Sequence, residues 1–134
     1  MTAGVNDVTQ APRARVAVVG AGYMGGGIAQ SLALAGHEVA LVDADPARTT
    51  AAVERLRAQL DDYAAAGLVD PERAGPAAGR LAAATSIADA VASADYVTEA
   101  VFEDAAVKRR VLREISGAAP AGAIIATNTS ALPS

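Results

Sequence analysis

Three glycines between two apolar segments have the spacing of a phosphate-binding loop. This G-x-G-x-x-G segment consists of Gly20, Ala21, Gly22, Tyr23, Met24 and Gly25. In such a loop the first glycine allows a tight turn, the second lets the backbone approach a pyrophosphate, and the third permits close packing of a helix against a strand. The N-terminus of the following helix adds N–H donors and the positive end of its dipole. Because the chain contains 12 glycines, the pattern taken alone is also compatible with an ordinary loop.

An acidic residue, Asp43, follows Gly20 by 23 residues and ends the apolar run E-V-A-L-V-D. At that distance a dinucleotide-binding fold places a carboxylate that accepts hydrogen bonds from the hydroxyls of the adenosine ribose. A carboxylate in this place also repels the 2′-phosphate of NADP. The loop and Asp43 together predict binding of NAD in preference to NADP, and the alternative is that Asp43 only forms a turn.

Strand-like and helix-like segments alternate along the chain and would position these residues. The β-branched and apolar runs predict strands at 15–19, 38–43, 81–85, 95–101 and 123–127. Helical spacing and capping residues predict helices from the glycine loop to Ala35, over 46–66, over a short stretch begun by Asp70-Pro71, over 86–92 and over 103–115. This alternation predicts an α/β fold of the Rossmann type, a doubly wound and mainly parallel sheet with helices on both faces that stops after about five strands. We expect residues 1–13 to form a flexible tail and residues 14–134 to form the domain.

Composition and charge exclude several other classes of function. The formal net charge is −4 and the 11 basic residues are scattered, so we expect no nucleic-acid binding. The chain has no cysteine and one histidine, His37, which predicts no metal site and a structural or surface role for that histidine. Neither a secretory signal nor an apolar stretch of about 18 to 20 residues is present, and the expected location is the cytoplasm, without membrane attachment.

Four blocks of sequence, in register, resemble the 3-hydroxyacyl-CoA dehydrogenase family. They are V-A-V-V-G-A-G-Y-M-G-G-G-I-A-Q at 16–30, L-V-D at 41–43, E-A-V-F-E-D at 99–104 with Lys108, and T-N-T-S at 127–130. The resemblance runs from about Arg15 to the end of the chain. One departure is Thr127, which stands where the family usually has serine.

The resemblance implies roles for residues around a bound NAD. The glycine loop would hold the cofactor phosphates and Asp43 the adenosine ribose, while Glu103 and Lys108 would line the cofactor cleft. Outside the family context, Glu103 could simply favour the dipole at a helix start and Lys108 could be a solvated charge.

The T-N-T-S block is expected to lie beside the nicotinamide. The resemblance implies that Ser130 forms a hydrogen bond at the 3-oxygen of the substrate, as a supporting catalytic residue, and that Asn128 shapes the turn. The family's general base is a histidine in an H-F-F-N-P string some twenty residues beyond this block, and residues 1–134 do not contain that string. We therefore expect the 134-residue chain alone to be inactive.

The function implied is NAD-dependent oxidation of an L-3-hydroxyacyl-CoA such as 3-hydroxybutyryl-CoA, with hydride transfer from C3, in fatty-acid or other lipid metabolism. The full-length family is expected to be homodimeric. Two alternatives stay open: a related L-gulonate or carnitine dehydrogenase, and a non-catalytic NAD-binding module. Residues that contact coenzyme A in some members have no clear match in this chain, so the acyl-CoA substrate is less firmly implied than NAD.

Overall fold

The computed structural model describes residues 13–101 and 105–127, in which strands and helices alternate. The strands are β1 (Arg15–Val19), β2 (Glu38–Val42), β3 (Leu81–Ala83), β4 (Tyr96–Glu99) and β5 (Ile124–Thr127). The helices are α1 (Tyr23–Leu34), α2 (Pro46–Ala65), α3 (Pro71–Arg80), α4 (Ile87–Val91) and α5 (Ala105–Ala118). No helix within the described ranges is long and apolar enough to cross a membrane.

The five strands form one parallel sheet in the order β3-β2-β1-β4-β5. The chain builds outward from β1 to β3 and then returns to the other side of β1 with β4. Val19 pairs with Val42 on one side and with Glu99 on the other, and Glu99 pairs with Thr127. The carboxyl ends of four strands therefore meet at one edge, where the reversal of strand order creates a crevice suited to ligands.

Alternate residues of the strands point to two separate cores, one on each face of the sheet. On one face α1, α2 and α3 cover a cluster that includes Val18, Leu41 and Leu60. On the other face α4 and α5 pack on a cluster that includes Val97 and Ile115. Both faces of the central strand are buried, which explains its continuous apolar sequence and confirms the predicted doubly wound α/β fold.

The helix predicted as a short stretch begun by Asp70-Pro71 is longer than expected, because α3 has ten residues. Asp70 caps its N-terminus by accepting a bond of 2.9 Å from the amide of Glu72. Pro76 lies inside the helix and cannot donate a backbone hydrogen bond. Ala74 and Ala77 are nevertheless buried against the first core, and this packing outweighs the weak local helix propensity.

Candidate functional site

Gly20 turns the chain sharply at the end of β1. Its φ of +117° is in the range that favours glycine, and a Cβ there would lie 2.7 Å from the carbonyl oxygen of Ala100. The amide of Gly20 donates to the carbonyl of Val42 at 2.7 Å, and the amide of Ala100 donates to the carbonyl of Val19 at 2.8 Å. The start of the glycine loop is thus held between the ends of β2 and β4.

The other two glycines of the loop serve different purposes. A Cβ on Gly25 would lie 1.8 Å from the carbonyl oxygen of Gly20, so only glycine lets α1 begin this close to β1. Gly22 is the N-cap of α1 and forms no side-chain capping bond, and a Cβ there would meet no protein atom within 4 Å. The space beside Gly22 is therefore open, and it adjoins a helix N-terminus. This arrangement fits a pyrophosphate.

The carboxylate of Asp43 bridges the glycine loop and the start of α2. Its Oδ2 accepts a hydrogen bond of 3.1 Å from the amide of Ala21, and its Oδ1 accepts one of 3.2 Å from the amide of Asp45. The backbone amide of Asp43 donates to Oγ1 of Thr49 at 2.9 Å. The predicted ribose-binding carboxylate is thus oriented beside the predicted phosphate loop.

A buried ion pair at the end of β4 was not predicted from the sequence. Oε2 of Glu99 accepts hydrogen bonds from Nζ of Lys108 at 2.8 Å and from the amide of Val101 at 2.6 Å. The hydroxyl of Thr127 donates to the other carboxylate oxygen. Glu99 is fully buried and Lys108 is 6% exposed. One carboxylate therefore connects the end of β4, the first turn of α5 and the end of β5.

The environment of Glu99 favours its ionised form. Burial would raise the pKa of this carboxyl, but the hydrogen bonds from Lys108, Thr127 and the amide of Val101, together with the charge of Lys108, lower it further than burial raises it. The resulting pKa lies below the ordinary value of 4.5. The signal available in the sequence was a single acid at the end of an apolar strand followed by a lysine in the next helix.

The structure brings together some of the predicted site residues. The glycine loop and Asp43 meet at one edge of the sheet, with the side chains of Tyr23 and Met24 exposed. Lys108 lies at the same edge and is paired with Glu99, so the structure gives it a partner that the resemblance did not name. Glu103, Asn128 and Ser130 lie outside the described residues, as do residues 1–12 of the predicted tail.

The opposite edge of the sheet holds the only histidine of the sequence. His37 precedes β2, and its Nδ1 accepts a hydrogen bond of 3.2 Å from the amide of Ala14. This contact agrees with a structural role. Among the described residues no group of three or more histidine, aspartate or glutamate side chains is arranged to hold a metal ion.

Residues 15–134 match the family model described as the NAD-binding domain of 3-hydroxyacyl-CoA dehydrogenase. The chain is similar to a 3-hydroxybutyryl-CoA dehydrogenase of Mycobacterium tuberculosis, with 38% identity over 89% of this chain and 42% of that protein. It is also similar to an L-carnitine dehydrogenase of Mesorhizobium japonicum, with 36% identity over 88% of this chain and 31% of that protein.

Among solved structures, a crystal structure of (S)-3-hydroxybutyryl-CoA dehydrogenase from Ralstonia eutropha superposes with a TM-score of 0.80. Its sequence is 34% identical, and the match covers 89% of this chain and 42% of that one. The chain thus spans less than half the length of these relatives. The family model covers almost the whole chain and confirms the prediction made from the four sequence blocks. The chain belongs to the 3-hydroxyacyl-CoA dehydrogenase family and corresponds to its NAD-binding domain.

Proposed function

We propose that this chain binds NAD at the carboxyl edge of its sheet, with the pyrophosphate at the glycine loop and the adenosine ribose at Asp43. The observation that carries the proposal is the hydrogen bond between the Asp43 carboxylate and the amide of Ala21, next to the open space at Gly22. Ribose hydroxyls and pyrophosphate oxygens are neighbouring groups in NAD. A carboxylate acceptor beside an open helix N-terminus suits both groups.

The reaction proposed for the whole protein is oxidation of an L-3-hydroxyacyl-CoA. NAD, when bound, supplies a hydride acceptor for C3 of the substrate. Within this chain, the Glu99 carboxylate holds the end of β5 through Thr127, immediately before the T-N-T-S block continues. We expect Ser130 in that block to form a hydrogen bond at the substrate 3-oxygen and Asn128 to shape the turn. Lys108 and Glu103 are proposed to line the cofactor cleft.

The general base is not expected among residues 1–134. The single histidine, His37, precedes β2 at the amino edge of the sheet, away from the glycine loop. Removing a proton from the 3-hydroxyl through a positioned base contributes about 10² to 10⁴-fold to such reactions. We therefore expect no appreciable NADH production when this chain alone is incubated with NAD and L-3-hydroxybutyryl-CoA and absorbance is followed at about 340 nm. Rapid turnover by this chain alone would refute that expectation.

A second candidate substrate is L-carnitine, because one similar relative is an L-carnitine dehydrogenase. L-Carnitine and L-3-hydroxybutyryl-CoA can be compared in the same assay with the complete protein.

A homodimer and a cytoplasmic location also belong to this proposal. The first rests on the resemblance to the family and the second on sequence composition.

Fluorescence titration with NADH and NADPH tests the cofactor proposal directly. We expect NADH to bind more tightly, because a 2′-phosphate would bring negative charge against Asp43. Asp43→Asn should weaken NADH binding by about 1 to 3 kcal/mol and should reduce the difference in affinity between NADH and NADPH. Exposed Asp61 in α2 offers a matched control, since Asp61→Asn should change neither affinity. Equal affinity of the unaltered chain for NADH and NADPH would contradict the role given to Asp43.

A further inference from the structure

We propose that Thr49 is a positioning residue for the cofactor site, whose hydroxyl fixes Asp43 for recognition of the adenosine ribose. The inference rests on the proposed binding of NAD at this edge and adds a buried residue that would act on the cofactor only through Asp43. It makes recognition of the ribose depend on a buried hydroxyl in α2.

The hydroxyl of Thr49 joins the end of β2 to the start of α2. Thr49 is 1% exposed, and its Oγ1 accepts the hydrogen bond of 2.9 Å from the backbone amide of Asp43. The same hydroxyl donates to the carbonyl of Asp45 at 3.3 Å. A hydroxyl has one proton and two acceptor lone pairs, so it can serve both neighbours at once, whereas an aliphatic side chain can serve neither.

These contacts determine where the Asp43 carboxylate lies. The side chain of Asp43 is held by two backbone amides, one from Ala21 in the glycine loop and one from Asp45 before α2. Both of these bonds depend on the position of the Asp43 backbone, and Thr49 accepts a hydrogen bond from the backbone amide of Asp43. Loss of the hydroxyl would leave that amide without its acceptor and favour a shift of the segment between β2 and α2.

A purely local role for Thr49 would have a different consequence. Threonine in the first turn of a helix can bond to a preceding carbonyl, and this contact alone concerns helix stability. If that were the whole role, removal of the hydroxyl would lower the stability of the fold, or it would weaken the binding of all cofactor analogues equally. A positioning role predicts that binding affinity is lost mainly for ligands that carry the ribose 2′-hydroxyl.

The test compares NADH with an NADH analogue whose adenosine ribose lacks the 2′-hydroxyl. We expect the unaltered chain to prefer NADH by about tenfold, the size of one good hydrogen bond. Thr49→Val should raise the Kd of NADH by about tenfold and the Kd of the analogue much less. The ratio of the analogue's Kd to that of NADH should therefore approach about one. Thr49→Ser should restore the ratio, and Thr50→Val, at the exposed neighbouring threonine, should leave it unchanged.

Several outcomes separate this inference from the proposed function. If Thr49→Val weakens the binding of NADH and of the analogue equally, or weakens neither, the inference is overturned but the proposed function is not. If the valine variant does not fold by circular dichroism, Thr49→Ala provides the same comparison with a smaller side chain. Failure of the unaltered chain to bind NADH would overturn the proposed function and the inference with it.

Discussion

Replacement of Glu99 by glutamine should be among the most destabilising single substitutions at the carboxyl edge of the sheet. Glutamine has nearly the same shape but no charge, so Lys108 would lose the carboxylate that lies 2.8 Å from its ammonium group. Removing one partner of a buried ion pair costs about 3 to 5 kcal/mol. Since a domain of this size is stable by only about 5 to 15 kcal/mol, we expect a large fall in the free energy of unfolding.

Urea unfolding at pH 7, followed by circular dichroism, measures this effect. Lys108→Met serves as the reciprocal variant, and Glu99→Gln/Lys108→Met removes both charges. Because a buried pair can often be replaced by neutral residues at little cost, the double variant should be more stable than Glu99→Gln. A decrease of less than about 1 kcal/mol in the free energy of unfolding of Glu99→Gln would refute the energetic importance of the pair. So would a double variant whose decrease equals the sum of the decreases in the two single variants.

The pH dependence of stability gives an independent test of the same carboxylate. The pKa of Glu99 is lowered in the folded chain, so the unfolded state binds the proton more readily. The stabilisation is therefore fully present above the ordinary value of 4.5 and is lost as pH falls through the lower folded value. The stability difference between the unaltered chain and Glu99→Gln should be constant above pH 4.5 and should shrink in acid. A difference that grows in acid would contradict the direction of the pKa shift.

Two glycine substitutions test the geometry of the loop. Gly22→Val should abolish NADH binding while leaving the circular dichroism spectrum unchanged, because its Cβ meets no protein atom and the rest of the side chain would enter the space proposed for the pyrophosphate. Gly27→Val, in an equally open position of α1, is the control and should bind NADH normally. Gly25→Ala should lower the thermal unfolding midpoint, because its Cβ would be 1.8 Å from the carbonyl oxygen of Gly20. An unchanged midpoint would show that α1 can move away without cost.

Local patterns in the sequence were sufficient for the existence of the five strands, for the glycine loop and for the start of α2, although β3 and β4 are shorter than predicted. Each depends on residues that are neighbours in the chain: β1 was predicted as Arg15–Val19, as observed, and Asp45 caps α2 by accepting a bond from Ala47. The length of α3 was not predicted because Pro76 and two glycines disfavour helix locally, while the burial that stabilises it comes from packing against other helices.

The polar contacts of the site were harder to predict because they depend on packing between elements. Lys108 was placed in the cofactor cleft from the resemblance, but its pairing with Glu99 depends on how α5 packs against β4. For the same reason, the sequence alone did not identify Thr49 as a site residue. Its spacing of six residues from Asp43 has no meaning until the turn between β2 and α2 brings the hydroxyl to the backbone amide.

The glycine loop is held from two sides. This arrangement connects both the Glu99–Lys108 ion pair and the Thr49 hydroxyl to the proposed cofactor site. On the side of β2, Gly20 bonds to Val42 and Ala21 bonds to the Asp43 carboxylate, whose backbone Thr49 secures. On the side of β4, Ala100 bonds to β1 and approaches Gly20 so closely that no Cβ fits between them. Glu99 directly precedes Ala100, so the ion pair secures the backbone against which Gly20 packs. A substitution at Glu99 should therefore affect the proposed phosphate end of the site, whereas one at Thr49 should affect the proposed ribose end.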